Sequence, residues 1–296
     1  MLVKGLSHLT DPVQVCYRGL AAVAPKSLWR RYGRLTSEAG IDELYFVLSF
    51  DCDTEDDIRV VSEVDARLRD IGVRPVYAVP GELLQKGEKV YSAIARAGAE
   101  FINHGNREHT YFDTASGRHA SCFFYDQQAP EIVREDVVKG DKTLRKVLGI
   151  APRGFRTPHF GTYQKARHLS FLHQVLVELD YGFSTSTLPL FAFRFGPIFD
   201  RYGLPEIPVS GMGGRPLRIL DSWGCFEAPG RRFGPDDFVR EGRLAADMFA
   251  ALGVGLLNFY ADPSHIHDRE EFFEVVACWA KVAKPVTYNE LLADLR

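Results

Sequence analysis

Phe46-Val47-Leu48-Ser49-Phe50-Asp51-Cys52-Asp53-Thr54-Glu55-Asp56-Asp57 joins an apolar, aromatic run to five acids within seven residues. The run, opened by Tyr45, reads as a strand buried on both faces, as the parallel strands of α/β proteins are. The acids then stand at its C-terminal end, the end that faces the site in such sheets. Carboxylates held this close raise one another's pKa, so the cluster calls for a counter-ion, either a metal cation or an arginine. The chain offers both. His104 and His109 follow another short apolar run, and Arg156 lies in Gly154-Phe155-Arg156-Thr157-Pro158-His159.

Ile58, Val61, Val64, Leu68 and Ile71 recur at helical spacing, which predicts a helix over 57–71 closed by Gly72. Strands follow at 73–79 and 99–103, with a helix over 88–97 between them. That β-α-β-α-β order is the signature of a parallel sheet or barrel. Residues 106–130 are aromatic and irregular, the mark of a functional loop, and Tyr111 within it is a candidate substrate contact. Further helices are expected over 131–148, 165–179, 236–252 and 270–283, and strands over 152–156, 182–187 and 253–260. Residues 188–235, rich in Gly, Pro and aromatics, are expected to wrap the mouth of the site, with short strands near Ile207 and over 217–220.

Ahead of the first strong strand, 12–23 and 26–37 read as two helices of an N-terminal extension, residues 1–42, packed on the barrel. The basic, aromatic Ser27-Leu28-Trp29-Arg30-Arg31-Tyr32 reads first as a packing helix and second as a membrane-surface or glycan contact. No linker, repeat or low-complexity segment divides the chain, so residues 1–296 are expected to form a single catalytic domain.

The length of 296 residues suits an α/β barrel, and 46% hydrophobic with 25% charged residues is a globular composition. A net charge of -3 argues against a nucleic-acid partner, whose backbone demands dense Lys and Arg. Five scattered cysteines without a CxxC pair fit a reducing compartment. Met1-Leu2-Val3-Lys4-Gly5-Leu6 has no signal-peptide pattern, and no run is long enough to span a bilayer. A cytoplasmic location is expected.

In a closed α/β sheet the strand ends converge on one rim. Asp51 and Asp53, His104 and His109, Arg156 and His265 can therefore meet although they are far apart in sequence. One carboxylate with two imidazoles makes an open three-ligand site for one divalent metal, zinc above all, with Co²⁺, Ni²⁺, Fe²⁺ or Mn²⁺ as other candidates. The second carboxylate would take a proton from water, and a histidine on the opposite side would protonate the leaving group. These parts point to a metal-assisted hydrolase of an amide or ester. Asp51 and Asp53 could instead cap the helix that follows them. Asp221-Ser222-Trp223 offers another acid and, in Trp223, a ring for stacking on substrate. His267 is a second candidate acid beside His265, while His119, His168 and His173 look like solvated positions.

These motifs resemble the polysaccharide deacetylases of the NodB-homology fold, carbohydrate esterase family 4, over about residues 44–292. The first motif of that family corresponds to Ser49-Phe50-Asp51-Cys52-Asp53, and the second to Asn103-His104-Gly105-Asn106-Arg107-Glu108-His109. The third corresponds to Arg156-Thr157-Pro158-His159, and the last, loosely, to Leu257 through His265. The resemblance implies a distorted, seven-stranded, TIM-like (β/α) barrel and N-deacetylation of an acetylated amino sugar. It implies Asp51 as base, Asp53, His104 and His109 as metal ligands, and Arg156 as the partner that orients Asp51. It also implies the backbone N–H of His159 as an oxyanion donor and His265 as general acid.

The departures are local. Cys52 replaces the adjacent second Asp, so Asp53 serves only where the backbone has turned, and a Cys52 thiolate is an alternative ligand. Four residues separate the two histidines, so Glu108, on the face of His104 at helical spacing, is the alternative to His109. The fourth, Asp-rich motif is missing, with Ser184-Thr185-Ser186 near its place. The expected substrate is an N-acetylated sugar, sugar nucleotide or lipid-linked saccharide of cell-surface polysaccharide or lipopolysaccharide synthesis. The alternatives are a small amide, such as a formamide or allantoin-like ureide, and a non-catalytic glycan-binding barrel.

Overall fold

The computed structural model describes residues 12–227 and 233–295. The stretch Met1–Leu6 and the start of the N-terminal extension lie outside the described residues. Strand β1 (Leu44–Asp51) is buried along its length apart from Leu44, as its apolar run requires. It pairs in parallel with β10 (Gly255–Ala261) on one side and β2 (Val76–Val79) on the other. β3 (Glu100–Asn103), β6 (Gly154–Phe155), β7 (Phe183–Ser184) and β9 (Pro205–Glu206) continue the sheet in parallel. The seven parallel strands thus run in the order β10-β1-β2-β3-β6-β7-β9. β8 (Phe199–Asp200) adds an antiparallel pair at the far edge, and β11 (Lys284–Pro285) a short pairing on β1.

This is the expected distorted barrel, but among the described residues no strand ladder closes it. The irregular segment after β9 does so. Ser210 N–H donates to the Asn258 carbonyl (2.7 Å), and Asn258 N–H donates to Ser210 Oγ (2.9 Å). Asn258 Nδ2 donates to the carbonyls of Ile207 and Pro208 and to Thr185 Oγ1.

The two-residue period of the strands sorts side chains into two cores. Tyr45, Val47, Val76, Ala78, Ile102, Phe183 and Leu256 fill the barrel, which Tyr288 and Leu291 of α12 (Tyr288–Asp294) plug from below. Phe46, Leu48, Phe50, Tyr77, Phe101, Leu257 and Phe259 face outward. Against that face pack α3 (Glu55–Asp70), α5 (Glu88–Arg96), α9 (Pro235–Leu252) and α11 (Glu270–Val282). α6 (Pro130–Leu148) and α7 (Ala166–Glu178) form a third cluster with Tyr125, Phe155 and Tyr181. α1 (Pro12–Val23) and α2 (Pro25–Glu38) lie at the expected positions. Leu28, Trp29 and Tyr32 of α2 are buried, and Tyr32 donates to the Leu256 carbonyl, so this basic, aromatic helix is a packing helix.

Several short elements depart from expectation. α4 (Gly81–Lys86), α8 (Pro189–Phe195), α10 (Pro263–Ile266) and α12 span too few turns to show a helical period. The loop over 106–130 contains an antiparallel hairpin, β4 (Thr110–Asp113) and β5 (Arg118–Ser121). Residues 217–220 form no strand, only an isolated bridge between Gly211 and Ile219. Among the described residues no helix is long and apolar enough to cross a membrane.

Candidate active site

β1 carries Asp51 on the same face as Tyr45, Val47 and Ser49, into the barrel at its C-terminal rim. Cys52 falls on the opposite face, with Leu48 and Phe50, and joins the outer core. Burial pushes its thiol well above the ordinary range, so Cys52 stays a neutral core side chain and not a thiolate ligand. Strand pairing ends at Asp51, and the turned backbone brings Asp53 to the rim.

Capping of α3 is done by other residues. Thr54 Oγ1 accepts from Asp57 N–H, while Asp57 Oδ2 accepts from the N–H groups of Asp53 (3.0 Å) and Thr54 (2.9 Å). Asp51 and Asp53 are thereby spared the capping role. The other Asp57 oxygen accepts from Ser264 N–H (2.8 Å), which ties this turn to the one carrying His265. Asp57 is fully buried, and that burial, with Asp262 nearby, raises its carboxyl to about 6.

Asp53, His104 and His109 converge, with their candidate ligand atoms all within 4.8 Å of one another. His104 follows β3, and its Nδ1 lies 2.8 Å from the Arg156 carbonyl. A carbonyl only accepts, so Nδ1 carries the proton and Nε2 presents a lone pair. That Nε2 is 3.4 Å from Asp53 Oδ1, and His109 Nε2 is 2.9 Å from the same oxygen. All three atoms are buried without a hydrogen bond. Orphaned lone-pair atoms of this kind fit a divalent cation. The two histidines overcome the burial of Asp53 and hold its carboxyl well below the ordinary range. Asp51 and Asp53 offset the burial of His104 and raise it, so a cation bound there would compete with protons. Glu108 turns away and pairs with Lys86 at 2.8 Å.

Arg156 leaves β6 fully buried. Nη1 donates to Asp51 Oδ1 (2.7 Å) and Nη2 to the Tyr288 hydroxyl (2.7 Å), which in turn donates to Asn258 Oδ1 (2.7 Å). Burial nonetheless outweighs the guanidinium and raises Asp51 above its ordinary value. Arg156 Nε donates to the Thr185 carbonyl. Glu206 holds that turn by accepting from Ser186 N–H (2.7 Å) and Thr187 N–H (2.9 Å), and its other oxygen is 3.0 Å from His173 Nε2. His173, expected on a solvated face, is therefore a buried partner of Glu206. The Ser184-Thr185-Ser186 segment supplies no acid but supports Arg156.

His265 sits across the cleft on α10. Its Nδ1 is 3.2 Å from Asp262 Oδ2 and 3.3 Å from Ser222 Oγ. Burial alone would lower this imidazole, but Asp262 and then Asp57 reverse the effect and raise it to about 9. At that value the ring is charged at neutral pH. His267 instead bonds the Ser264 carbonyl and does not line the cleft. His159, left-handed at φ 59°, places its Nε2 2.8 Å from the Cys122 carbonyl. Burial and the neighbouring His109 lower it to about 4, so its ring is neutral.

The cleft over these groups has a volume of about 300 Å³. Asp51, Asp53, Asp262 and His265 reach it, with Phe124, Phe160, Trp223 and Tyr260 as aromatic walls. Asp221 also lines it, raised to about 6 by burial. Trp223 is 40% exposed and stands 6.0 Å from His265 ring to ring. Tyr111 does not line this cleft and stands in an adjoining groove, while His119, to which the sequence assigned nothing, lines both. Asp262, Ser222, Asp57 and Tyr288 were missed as site residues. Its place three residues before His265 was a sequence signal for Asp262.

Solved structures with this architecture include a chain described as a polysaccharide deacetylase from Mycobacterium smegmatis. It has 18% identity and a TM-score of 0.64 over 85% of this chain and 90% of that one. Puue allantoinase has 11% identity and a TM-score of 0.62 over 84% and 89%. A chain described as a polysaccharide deacetylase from Pseudomonas aeruginosa PAO1 has 11% identity and a TM-score of 0.60 over 85% and 90%. No protein-family model and no curated sequence matches the chain. The fold is the NodB-type distorted barrel of the polysaccharide deacetylases.

Proposed function

We propose that the chain is a metal-dependent hydrolase of non-peptide C–N bonds, and that it deacetylates an N-acetylated amino sugar in cell-surface polysaccharide or lipopolysaccharide synthesis. One observation carries the reading. A candidate metal group, an Arg-held carboxylate and a carboxylate-charged histidine meet at a single cleft. Asp53, His104 and His109 would hold the cation, zinc first among candidates, which when bound polarises an acyl oxygen and acidifies water.

Asp51, oriented by Arg156, takes a proton as water oxygen bonds to the acyl carbon. The backbone N–H of His159 donates toward the acyl oxygen as negative charge develops there. As the C–N bond breaks, His265 gives its proton to the departing nitrogen, leaving acetate and a free amine. Five free cysteines support a reducing, cytoplasmic setting.

The test is acetate release from N-acetylated sugars by zinc-loaded protein. Asp51→Asn should lower turnover by about 10²–10⁴-fold while retaining the metal. Full activity in that variant would refute the role of Asp51. A second reading, hydrolysis of a small ureide, is supported by the likeness to Puue allantoinase. Turnover of allantoin without release of acetate from any sugar would select it. Sugar binding without hydrolysis would leave a glycan-binding barrel.

A further inference from the structure

Helix α1 carries a single charged residue, Arg18. Its inner face packs. Tyr17, Leu20 and Ala21 lie against the outer core, and the Tyr17 hydroxyl donates to the Phe193 carbonyl (3.4 Å). On the other side Pro12, Val15, Cys16, Gly19, Ala22 and Val23 recur at helical spacing and are all exposed. Val15 and Val23 are 47% and 83% exposed. A surface helix of a globular domain turns charged and polar side chains to water, and one that is apolar all round is buried. The outer stripe of α1 therefore calls for an apolar cover.

The charges around α1 decide which cover fits. α2 buries Leu28, Trp29 and Tyr32, which leaves Lys26, Arg30 and Arg34, at i, i+4 and i+8, on its exposed face. Arg31 donates to the carbonyls of Phe193 (2.9 Å) and Arg194 (3.2 Å) and so fastens α2 to α8. Arg194 and, just beyond α8, Arg201 lie over the Phe195 ring. Residues 12–38 and 189–201 thus hold seven Lys or Arg and two acids, Glu38 and Asp200. Glu38 pairs with Arg34, and Asp200 accepts from Gly203 N–H. The remaining residues hold 29 basic and 37 acidic groups, so positive charge is concentrated on these elements of an otherwise negative chain. An uncharged apolar stripe among cations is the pattern of a helix lying in the interface of an anionic membrane. A second copy of the same face would set cations against cations.

We propose that α1 docks on an anionic lipid bilayer, its outer stripe among the acyl chains and the exposed cations of α2 and α8 on the headgroups. α1 is already held by Tyr17 and the outer core, so docking orders no new segment. The proposal is independent of the reaction assigned to the cleft, and its failure leaves that reading untouched.

Co-sedimentation of the full, zinc-loaded chain with lipid vesicles tests it. The chain should bind vesicles of mixed phosphatidylcholine and phosphatidylglycerol, come off as salt is raised, and stay in the supernatant with phosphatidylcholine alone. Lys26→Gln/Arg30→Gln should weaken binding by about tenfold, and Val15→Asp/Val23→Asp by about tenfold or more. All four side chains are exposed, so both variants should fold and keep their zinc, which circular dichroism and elemental analysis check. No binding to the mixed vesicles, equal binding to the two kinds, or wild-type binding by either variant overturns the proposal. So does a dimer in light scattering that Val15→Asp/Val23→Asp dissolves, because a second copy would then be the cover.

Discussion

Asp262→Asn isolates the charge that would fit His265 for its proposed role as general acid. The imidazole stands at about 9 against an ordinary 6.5, a difference of about 3 kcal/mol in favour of the charged form. Its nearest carboxylate oxygen belongs to Asp262, 3.2 Å from Nδ1. The amide keeps the size of Asp262 and an acceptor for the Ser222 hydroxyl, but removes the charge. A close opposite charge shifts a pKa by about 1–3 units, so the alkaline limb of kcat/KM should fall to about pH 7. At pH 8 that is a loss of about tenfold, and the two proteins should converge below about pH 6, where both imidazoles are protonated. The stability difference carries the same sign. A raised histidine stabilises the fold fully below its unfolded value and loses that contribution as pH rises through about 9, so the variant should melt lower at pH 6 and approach the wild type at high pH. Rates across pH in zinc-loaded protein and an NMR titration of the ring both report on this. An unchanged alkaline limb together with an unchanged ring titration would refute it.

Five other substitutions probe the frame. His104→Ala and His109→Ala should each weaken zinc binding by more than about a hundredfold, whereas Glu108→Ala, which loses only its contact with Lys86, should retain the metal by elemental analysis. Arg156→Ala strands the buried Asp51 carboxylate and should cost about 3–5 kcal/mol in denaturant unfolding; a midpoint unchanged from wild type would contradict the pairing. Gly140→Ala on α6 would place a Cβ 2.4 Å from Asn103 Oδ1 and 2.5 Å from the Gly105 carbonyl. It should cost about 1–3 kcal/mol and disturb the turn that carries His104, which metal titration would register.

The long periodic elements were legible because their signals are local. The apolar run of β1 and the helical spacing of α3 need no distant partner, and they placed the barrel and its rim. Asp51, Asp53, His104, His109 and Arg156 follow strand ends, so convergence of those ends brought them together as expected. The supports of the site were not legible, because each is a contact across the chain. Asp57 reads as one acid among five, yet it bonds Ser264 on another element. Glu206 sits in a Gly- and Pro-rich stretch, on a strand of two residues, and only the fold sets it against His173. The hairpin in 106–130 has four-residue strands that are largely exposed, so no buried alternation announces it.

The seam that closes the barrel has a mechanical consequence. Between the β7 side and β10 the wall is held by Ser210 and the Asn258 side chain instead of a strand ladder. Such a joint should open at lower free energy than β1, and its amides should exchange with solvent sooner. Asn258 also accepts from Tyr288, which accepts from Arg156, which holds Asp51. Loosening of the seam therefore reaches the proposed base before the sheet melts. On gentle heating, turnover should fade while the circular dichroism of the barrel is still intact.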